Sequence, residues 1–353
     1  MLYYSNISLL PLFLSFASSF IICFIIIITT PLHKKVTLDV DEGIQKFHMV
    51  PTPRVGGLGI FIGLVIAYFT SDHKLTTIIY YFILFGFFPF FFGLLEDLTK
   101  TIKIIYRLIA TLISGVIGWY ISDASIKFVG INYIDCALSY QFISVIFTAF
   151  SVGGISNSIN IIDGLNGLAS FTIIVSLTAI GSIALSVGDI NLAIGIFILA
   201  CSVFGFFILN WPFGKLFLGD GGAYLCGSLL AWSCILLIER NNPVAPFAML
   251  LICVYPFTEA LFSIKRRLFS LNSITNPDAL HLHSLIYRRY GKILNKVKRT
   301  NSHLGILIGI LNIPPALLAY LFKYNNLTCA ALVIIFMCAY YILYKRIINF
   351  KLF

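Results

Sequence analysis

The stretch "NSINIIDGLNGLAS", residues 157–170, falls between two apolar runs, 138–156 and 168–186, and sets Asn157, Asn160, Asp163 and Asn166 three residues apart. If the segment continues a helix, adjacent members of this set share a face and converge on one ligand. Gly164 and Gly167 interrupt the helix there and allow a close approach to the backbone. A single Asn or Asp in this place reads as a cap or a turn. Four in register read as a site at the end of a helix.

The chain around this stretch is 353 residues long, 59% apolar and only 11% charged, outside the range of soluble domains. Apolar runs able to cross about 30 Å of hydrocarbon recur near residues 8–30, 55–71, 76–95, 104–121, 138–156, 168–186, 190–210, 221–238, 243–262, 303–322 and 328–345. They predict an all-α polytopic membrane protein of about eleven transmembrane helices, a single integral-membrane domain over 1–353. A β-barrel is excluded because the runs are continuously apolar and do not alternate. The first run lacks a basic leader and a small-residue cleavage site, so it reads as a helix and not as a signal peptide. Eight cysteines without CxxC spacing read as small core residues.

A net charge of +10 could point to nucleic acid, but its distribution points to topology. With the N-terminus outside and eleven alternating helices, twenty of the 24 Lys and Arg fall inside and only Lys74, Lys127, Arg240 and Lys323 outside. The C-terminus is then cytoplasmic. No nucleic-acid partner is expected. The cytoplasmic loops are 31–54, 96–103, 157–167, 210–220 and 263–302, and every unusual polar motif lies in or beside one of them. That placement at helix ends, without an inverted repeat or a mid-membrane polar site, disfavours a non-catalytic lipid or solute transporter.

Several of these loops carry residues suited to phosphate chemistry. "FLGDGG" places Asp220 at the mouth of a helix, where it reads as an N-cap or as a hard ligand for Mg²⁺ completed by substrate phosphates. Glu96 and Asp97 are vicinal acids against an apolar helix end, suited to a cation or to proton transfer. His281 and His283, with Arg288 nearby, read as phosphate hydrogen-bond donors, since no third ligand completes a zinc site. Lys46, His48 and Arg54 add a second cationic cluster, and Lys215 lies in the loop before Asp220.

Together the motifs Lys46-x-His48, Pro51-Thr52-Pro53-Arg54-x-Gly56-Gly57, Glu96-Asp97, Asn157-x-x-Asn160-x-x-Asp163-Gly164-x-x-Gly167-Leu168, Phe217-Leu218-Gly219-Asp220 and His281-x-His283 stand in an order that resembles the polyprenyl-phosphate N-acetylhexosamine-1-phosphate transferases. The chain looks like a WecA-type member of that superfamily. Arg54 separates it from the muramyl-pentapeptide branch, which is the alternative within the class. Glu96, Asn166 and Ser284 stand where the family pattern has Asp, Asp and His.

The resemblance implies transfer of a sugar 1-phosphate from a UDP-N-acetylhexosamine to undecaprenyl phosphate at the bacterial inner membrane, releasing UMP and initiating a cell-surface glycan. It implies Mg²⁺, with Mn²⁺ as a substitute, held by Asn160 and Asp220. Glu96, Asp97, Asp163, Asp220, His281 and His283 are the expected catalytic residues. Lys46, His48, Arg54, Asn157, Asn166, Lys215 and Arg288 are expected to bind substrate. Membrane lipid and a homodimer partner complete the expected associations.

Overall fold

The computed structural model describes residues 9–39, 51–269, 280–294 and 300–349. Lys46 and His48 lie outside them. In chain order the helices are α1 Leu10–Ile28, α2 Thr30–Thr37, α3 Gly57–Thr70, α4 His73–Thr99, α5 Ile104–Ser122, α6 Asn132–Leu138, α7 Gln141–Ile162 and α8 Leu168–Ser186. There follow α9 Ile190–Asn210, α10 Gly219–Arg240, α11 Pro246–Ile252, α12 Val254–Phe269, α13 Leu282–Leu294, α14 Thr300–Gly309, α15 Ile313–Leu321 and α16 Asn326–Asn349.

Among the described residues nine helical segments are long and apolar enough to span a bilayer, and α11 with α12 makes a tenth if that pair, bent by 77°, is one span. The count of eleven differs at residues 57–70: α3 has 14 residues, about 21 Å at 1.5 Å per residue, too short to cross about 30 Å of hydrocarbon by itself. The run at 303–322 is also not one regular helix, because a 3₁₀ turn at Ile310–Asn312 and the prolines at 314 and 315 divide α14 from α15.

The bundle is organised around α10, of which 94% of the spanning window is buried. In a bilayer lipid tails are as apolar as leucine, so helices associate through close packing of small residues. That is what the sequence supplies. A Cβ on Gly57 would strike the Gly222 backbone, and one on Gly93 would lie 2.6 Å from the Gly221 amide. Gly227 packs with equal closeness on Ser156 of α7. Thus α3, α4 and α7 meet α10 at backbone distance. Trp232, fully buried, packs against the Phe85 ring with centroids 4.3 Å apart and the planes tilted by 35°, and donates to Ser114 Oγ at 3.3 Å.

A two-stranded ribbon, β1 Leu38–Asp39 with β2 Thr52–Pro53, is antiparallel with Leu38 opposite Pro53. The residues after the ribbon reach α10. The Phe217 amide donates to Pro53 O at 2.9 Å, Gly56 to Phe217 O at 2.9 Å and Gly57 to Leu218 O at 3.0 Å. "PTPRVGG" and "FLGDGG", more than 160 residues apart, are therefore backbone-paired neighbours.

Candidate active site

The pairing puts Arg54 beside Asp220, the second residue of α10. Arg54 Nη2 contacts Asp220 Oδ1, its Nε lies 3.3 Å from Asp97 Oδ1, and Arg107 Nη1 from α5 contacts Asp220 Oδ2. Asp97 and Asp220 are each 3% exposed. Asp97 accepts the backbone N–H of Asp220 at 2.9 Å and of Gly221 at 2.8 Å. It therefore caps α10 from another helix, satisfying amides that have no intrahelical partner. Gly219 has φ +76°, and a Cβ there would lie 2.5 Å from Asp97 Oδ2. Glycine is needed at 219 on both counts.

Glu96 faces another way. Its Oε2 accepts the Ile102 N–H at 2.7 Å and so closes the turn after α4. The vicinal pair is thereby split: one acid holds a loop and the other holds the start of α10.

The 157–167 segment corrects a helical expectation. Helix α7 ends at Ile162, and residues 163–167 form turns, with Gly167 at φ +83°. Asn157 and Asn160 remain on the helix and are joined through Tyr224, whose hydroxyl donates to Asn157 Oδ1 and accepts from Asn160 Nδ2, both at 3.4 Å. Asp163 lies past the helix end. Burial among protein atoms pushes its carboxyl up to about 7, against the nearby Arg54 charge, although the residue keeps some surface access. Asn166 turns away toward α14, where its N–H donates to Asn301 Oδ1 at 2.8 Å and its Nδ2 to Ser302 Oγ at 3.2 Å. Gly167 N–H donates to Asn210 Oδ1 at 2.7 Å, and Asn210 Nδ2 donates to Leu216 O at 2.8 Å. Asn166 and Asn210 thus brace the loop.

His283 closes the other side, with its ring against Gly164 so tightly that a Cβ would collide with Nε2. The His281 ring is parallel to it, 5.5 Å away. Lys215 is exposed, its ammonium 5.4 Å from the Phe213 ring. Arg288 is half-buried on α13, and its neighbour Arg289 donates to Ile348 O at 2.7 Å. Lys215 thus stands on an exposed aromatic ring, away from the buried Asp97 and Asp220 carboxylates.

Sequence reading missed Arg107, Tyr224 and Asn210 beside the acidic cluster, and the buried acid Glu259. For Arg107 and Glu259 there was a signal: each is an ionisable residue inside an apolar run, which is costly unless it serves a purpose. Tyr224 carries no such mark.

Among the described residues no group of three His, Cys, Asp or Glu is arranged to hold a metal. Both Asp220 oxygens face guanidinium groups, and both Asp97 oxygens accept backbone amides. The donors nonetheless suit Mg²⁺ in one respect: Asp220 and Asn160, linked by way of Tyr224 on α10, offer hard oxygens, and Mg²⁺ commonly takes one or two carboxylates with substrate phosphates completing its shell. A bound metal and the two arginines compete for the same Asp220 oxygens.

Residues 78–238 match the model of glycosyl transferase family 4. An undecaprenyl-phosphate alpha-N-acetylglucosaminyl 1-phosphate transferase of Thermotoga maritima is 29% identical over 248 residues, covering 70% of this chain and 72% of that protein. Its Escherichia coli K12 counterpart is 26% identical over 263 residues, covering 72% and 70%. A phospho-N-acetylmuramoyl-pentapeptide-transferase of Streptococcus pneumoniae is 29% identical over 194 residues, a shorter match covering 51% and 58%. The matched family segment runs from α4 to α10 and contains Asp97, Arg107, Asn160, Asp163 and Asp220, so the likeness to glycosyl transferase family 4 covers the buried polar end of α10.

Proposed function

We propose that the protein transfers N-acetylhexosamine 1-phosphate from a UDP-sugar to undecaprenyl phosphate, giving the lipid-linked sugar diphosphate and UMP. The observation that carries this reading is the backbone pairing of residues 53–57 with 217–218. It brings Arg54 to Asp220 at the start of α10, where Asp97 from α4 and Arg107 from α5 also stand, with Asp163 close by. The relatives' names supply the substrate class. The charge bias supports a cytoplasmic setting for this end of the bundle.

The reaction brings an attacking lipid phosphate to the sugar-linked phosphorus of a diphosphate, so the site must hold several negative charges together. Positioning and charge neutralisation are the main tasks. Arg54 and Arg107 meet that need as paired guanidiniums that exchange Asp220 for phosphate oxygens. Asp97, by capping α10, fixes where Asp220 and the helix N-terminus stand. Mg²⁺, held by Asp220 and Asn160 together with diphosphate oxygens, would neutralise charge on the leaving UMP. Glu96 and Asp97 are already committed to backbone amides, which leaves Asp163 as the better proton acceptor. Its carboxyl titrates near 7, close to the second ionisation of a phosphate monoester at about pH 6. His281 and His283 contact substrate phosphate from the α13 side. A panel of UDP-N-acetylhexosamines and UDP-N-acetylmuramyl-pentapeptide, offered with undecaprenyl phosphate and read by UMP release and lipid-product mass, tests the proposal. Absence of UMP release from all of them overturns it.

A further inference from the structure

Glu259 is fully buried, and none of the steps above uses it. It lies on α12 just past the 77° bend, in the apolar sequence "VYPFTEALF". A lone carboxylate there would be destabilising by several kcal/mol. This one is saturated with donors. Oε1 lies 3.0 Å from His281 Nδ1, the Leu282 N–H reaches both oxygens at 3.3 Å, and the Tyr340 hydroxyl donates to Oε2 at 2.5 Å. Arg266 Nη2 stands 3.9 Å from Oε1.

These partners come from separate elements. Leu282 is the first residue of α13, so the carboxylate caps that helix at its N-terminus, where a negative charge is favoured. Tyr340 belongs to α16, and from the same helix Tyr344 donates to Leu280 O at 3.2 Å. Because Glu259 takes Nδ1, His281 can address a substrate only through Nε2. The parallel His283 ring in turn lies against Gly164 in the turn that carries Asp163. One chain of contacts therefore runs from α16 through Glu259 and the two imidazoles to the turn after α7.

We propose that Glu259, oriented by Tyr340, is the positioning residue for the His281–His283 pair, which makes the last helix, α16, part of the transfer machinery. This rests on the reading of the two histidines as phosphate contacts. Glu259 and Tyr340 lie beyond the matched family segment, which ends at residue 238.

Glu259→Gln keeps the size but replaces two acceptor oxygens with one acceptor and one donor, facing three donors. A ring held in the wrong orientation follows. Supporting partners of this kind typically change activity by about 10- to 100-fold. With the full-length protein in detergent, UDP-N-acetylglucosamine and undecaprenyl phosphate, Glu259→Gln is expected to lower kcat in that range, with Glu259→Asp recovering part of the loss. The decisive measurement is a cycle with His281→Ala: a residue that acts through His281 adds no further loss once the imidazole is gone. Full additivity, or a Glu259→Gln kcat equal to the parent's, overturns the proposal. If Glu259→Gln fails to fold, Tyr340→Phe, which keeps the carboxylate, is expected to cost several-fold in kcat in the parent and nothing in His281→Ala; no cost in the parent overturns the proposal. A His281→Ala variant as active as the parent would fell both the histidine reading and this proposal. The transferase assignment would still stand on the parent's own UMP release.

Discussion

The two ends of α10 both carry ion pairs, and the pairs are of different kinds. At the Arg240 end, Arg240 makes a two-pronged contact with Asp189 at 2.6 and 2.9 Å, and Lys127 meets Glu239 at 2.7 Å; the Arg240 and Lys127 side chains are 41% and 50% exposed, while Asp189 is 9% exposed. At the Gly219 end the Asp97 and Asp220 side chains are 1% and 5% exposed, and Arg107 is 11% exposed. Exposed pairs contribute about 0–1 kcal/mol, whereas burying charges costs more than a simple pair returns. Charges kept buried at the Gly219 end of the central helix support the proposal that the chemistry belongs to that end.

The largest break in this contrast should come from Asp220→Asn. The substitution removes the anion facing both Arg54 and Arg107, leaving Arg107 buried without its counter-charge, and it removes the hardest candidate ligand for Mg²⁺. Loss of one member of a buried pair costs about 3–5 kcal/mol. We expect UMP release to fall by at least roughly a hundredfold and the thermal midpoint in detergent to drop as well. Arg240→Ala, at the other end, should leave turnover within about twofold of the parent. Equal effects from the two variants would erase the distinction between the ends.

Asp163→Asn sharpens the same contrast through pH. The Asp163 carboxyl is raised from 3.8 to about 7 in the folded protein, so the folded state binds more protons than the unfolded state between those values. Its contribution therefore makes stability fall as pH rises from about 4 to 7 and stay flat above. The thermal midpoint should decline over that window less steeply in Asp163→Asn than in the parent. If Asp163 accepts a proton in the reaction, the parent's rate should climb through about pH 7, and the Asn variant should lose that limb. An identical pH–rate profile would return the base role to another group.

Much of this end of the molecule was legible in the sequence, because membrane spans are long continuous signals and the polar motifs interrupt them. The bundle class and most span positions follow from that contrast, as does the choice of Asp97, Asp163, Asp220 and His283 as candidate residues. The roles were harder to read. Arg54 and Asp220 come together through pairing of residues 53–57 with 217–218, and Asp97 joins them through the close approach of α4 to α10 at Gly93, contacts without local periodicity. The i,i+3 register of 157–166 pointed to one helical face, but Gly164 and Gly167 end that face after Asn160 and send Asn166 to brace α14. An acid inside an apolar run marks Glu259 as unusual, but only the fold shows which three donors it meets.

A smaller effect is expected from adding one methyl group beside His283. A Cβ on Gly164 has no room against the imidazole Nε2, so Gly164→Ala should displace the ring and lower kcat by roughly tenfold, in line with the sensitivity of reacting geometry to small shifts. Gly154→Ala is the matched control. It lies inside α7 with nothing within 4 Å of the added Cβ, so activity should be unchanged and the helix stabilised by about 0.5–1 kcal/mol. Kinetics of Gly164→Ala that match Gly154→Ala would remove His283 from the turn's function.

The smallest expected effect lies at the Arg240 end. Lys127 and Glu239 hold each other at 2.7 Å in an exposed setting, beside an opening of about 290 Å³ that Ser125, Phe128 and Asn242 also line. The pair connects the segment after α5 to the end of α10, yet water and salt screen it, and ordering a lysine side chain offsets much of the Coulomb gain. Lys127→Ala should therefore lower stability by no more than about 0.5 kcal/mol, with kcat and KM for both substrates unchanged. The same variant measured at high ionic strength should match the parent more closely still, since screening has already weakened the pair. A clear loss of turnover in Lys127→Ala would mean that the exposed end is coupled to the buried one along α10, and the division of labour between the two ends would have to be abandoned.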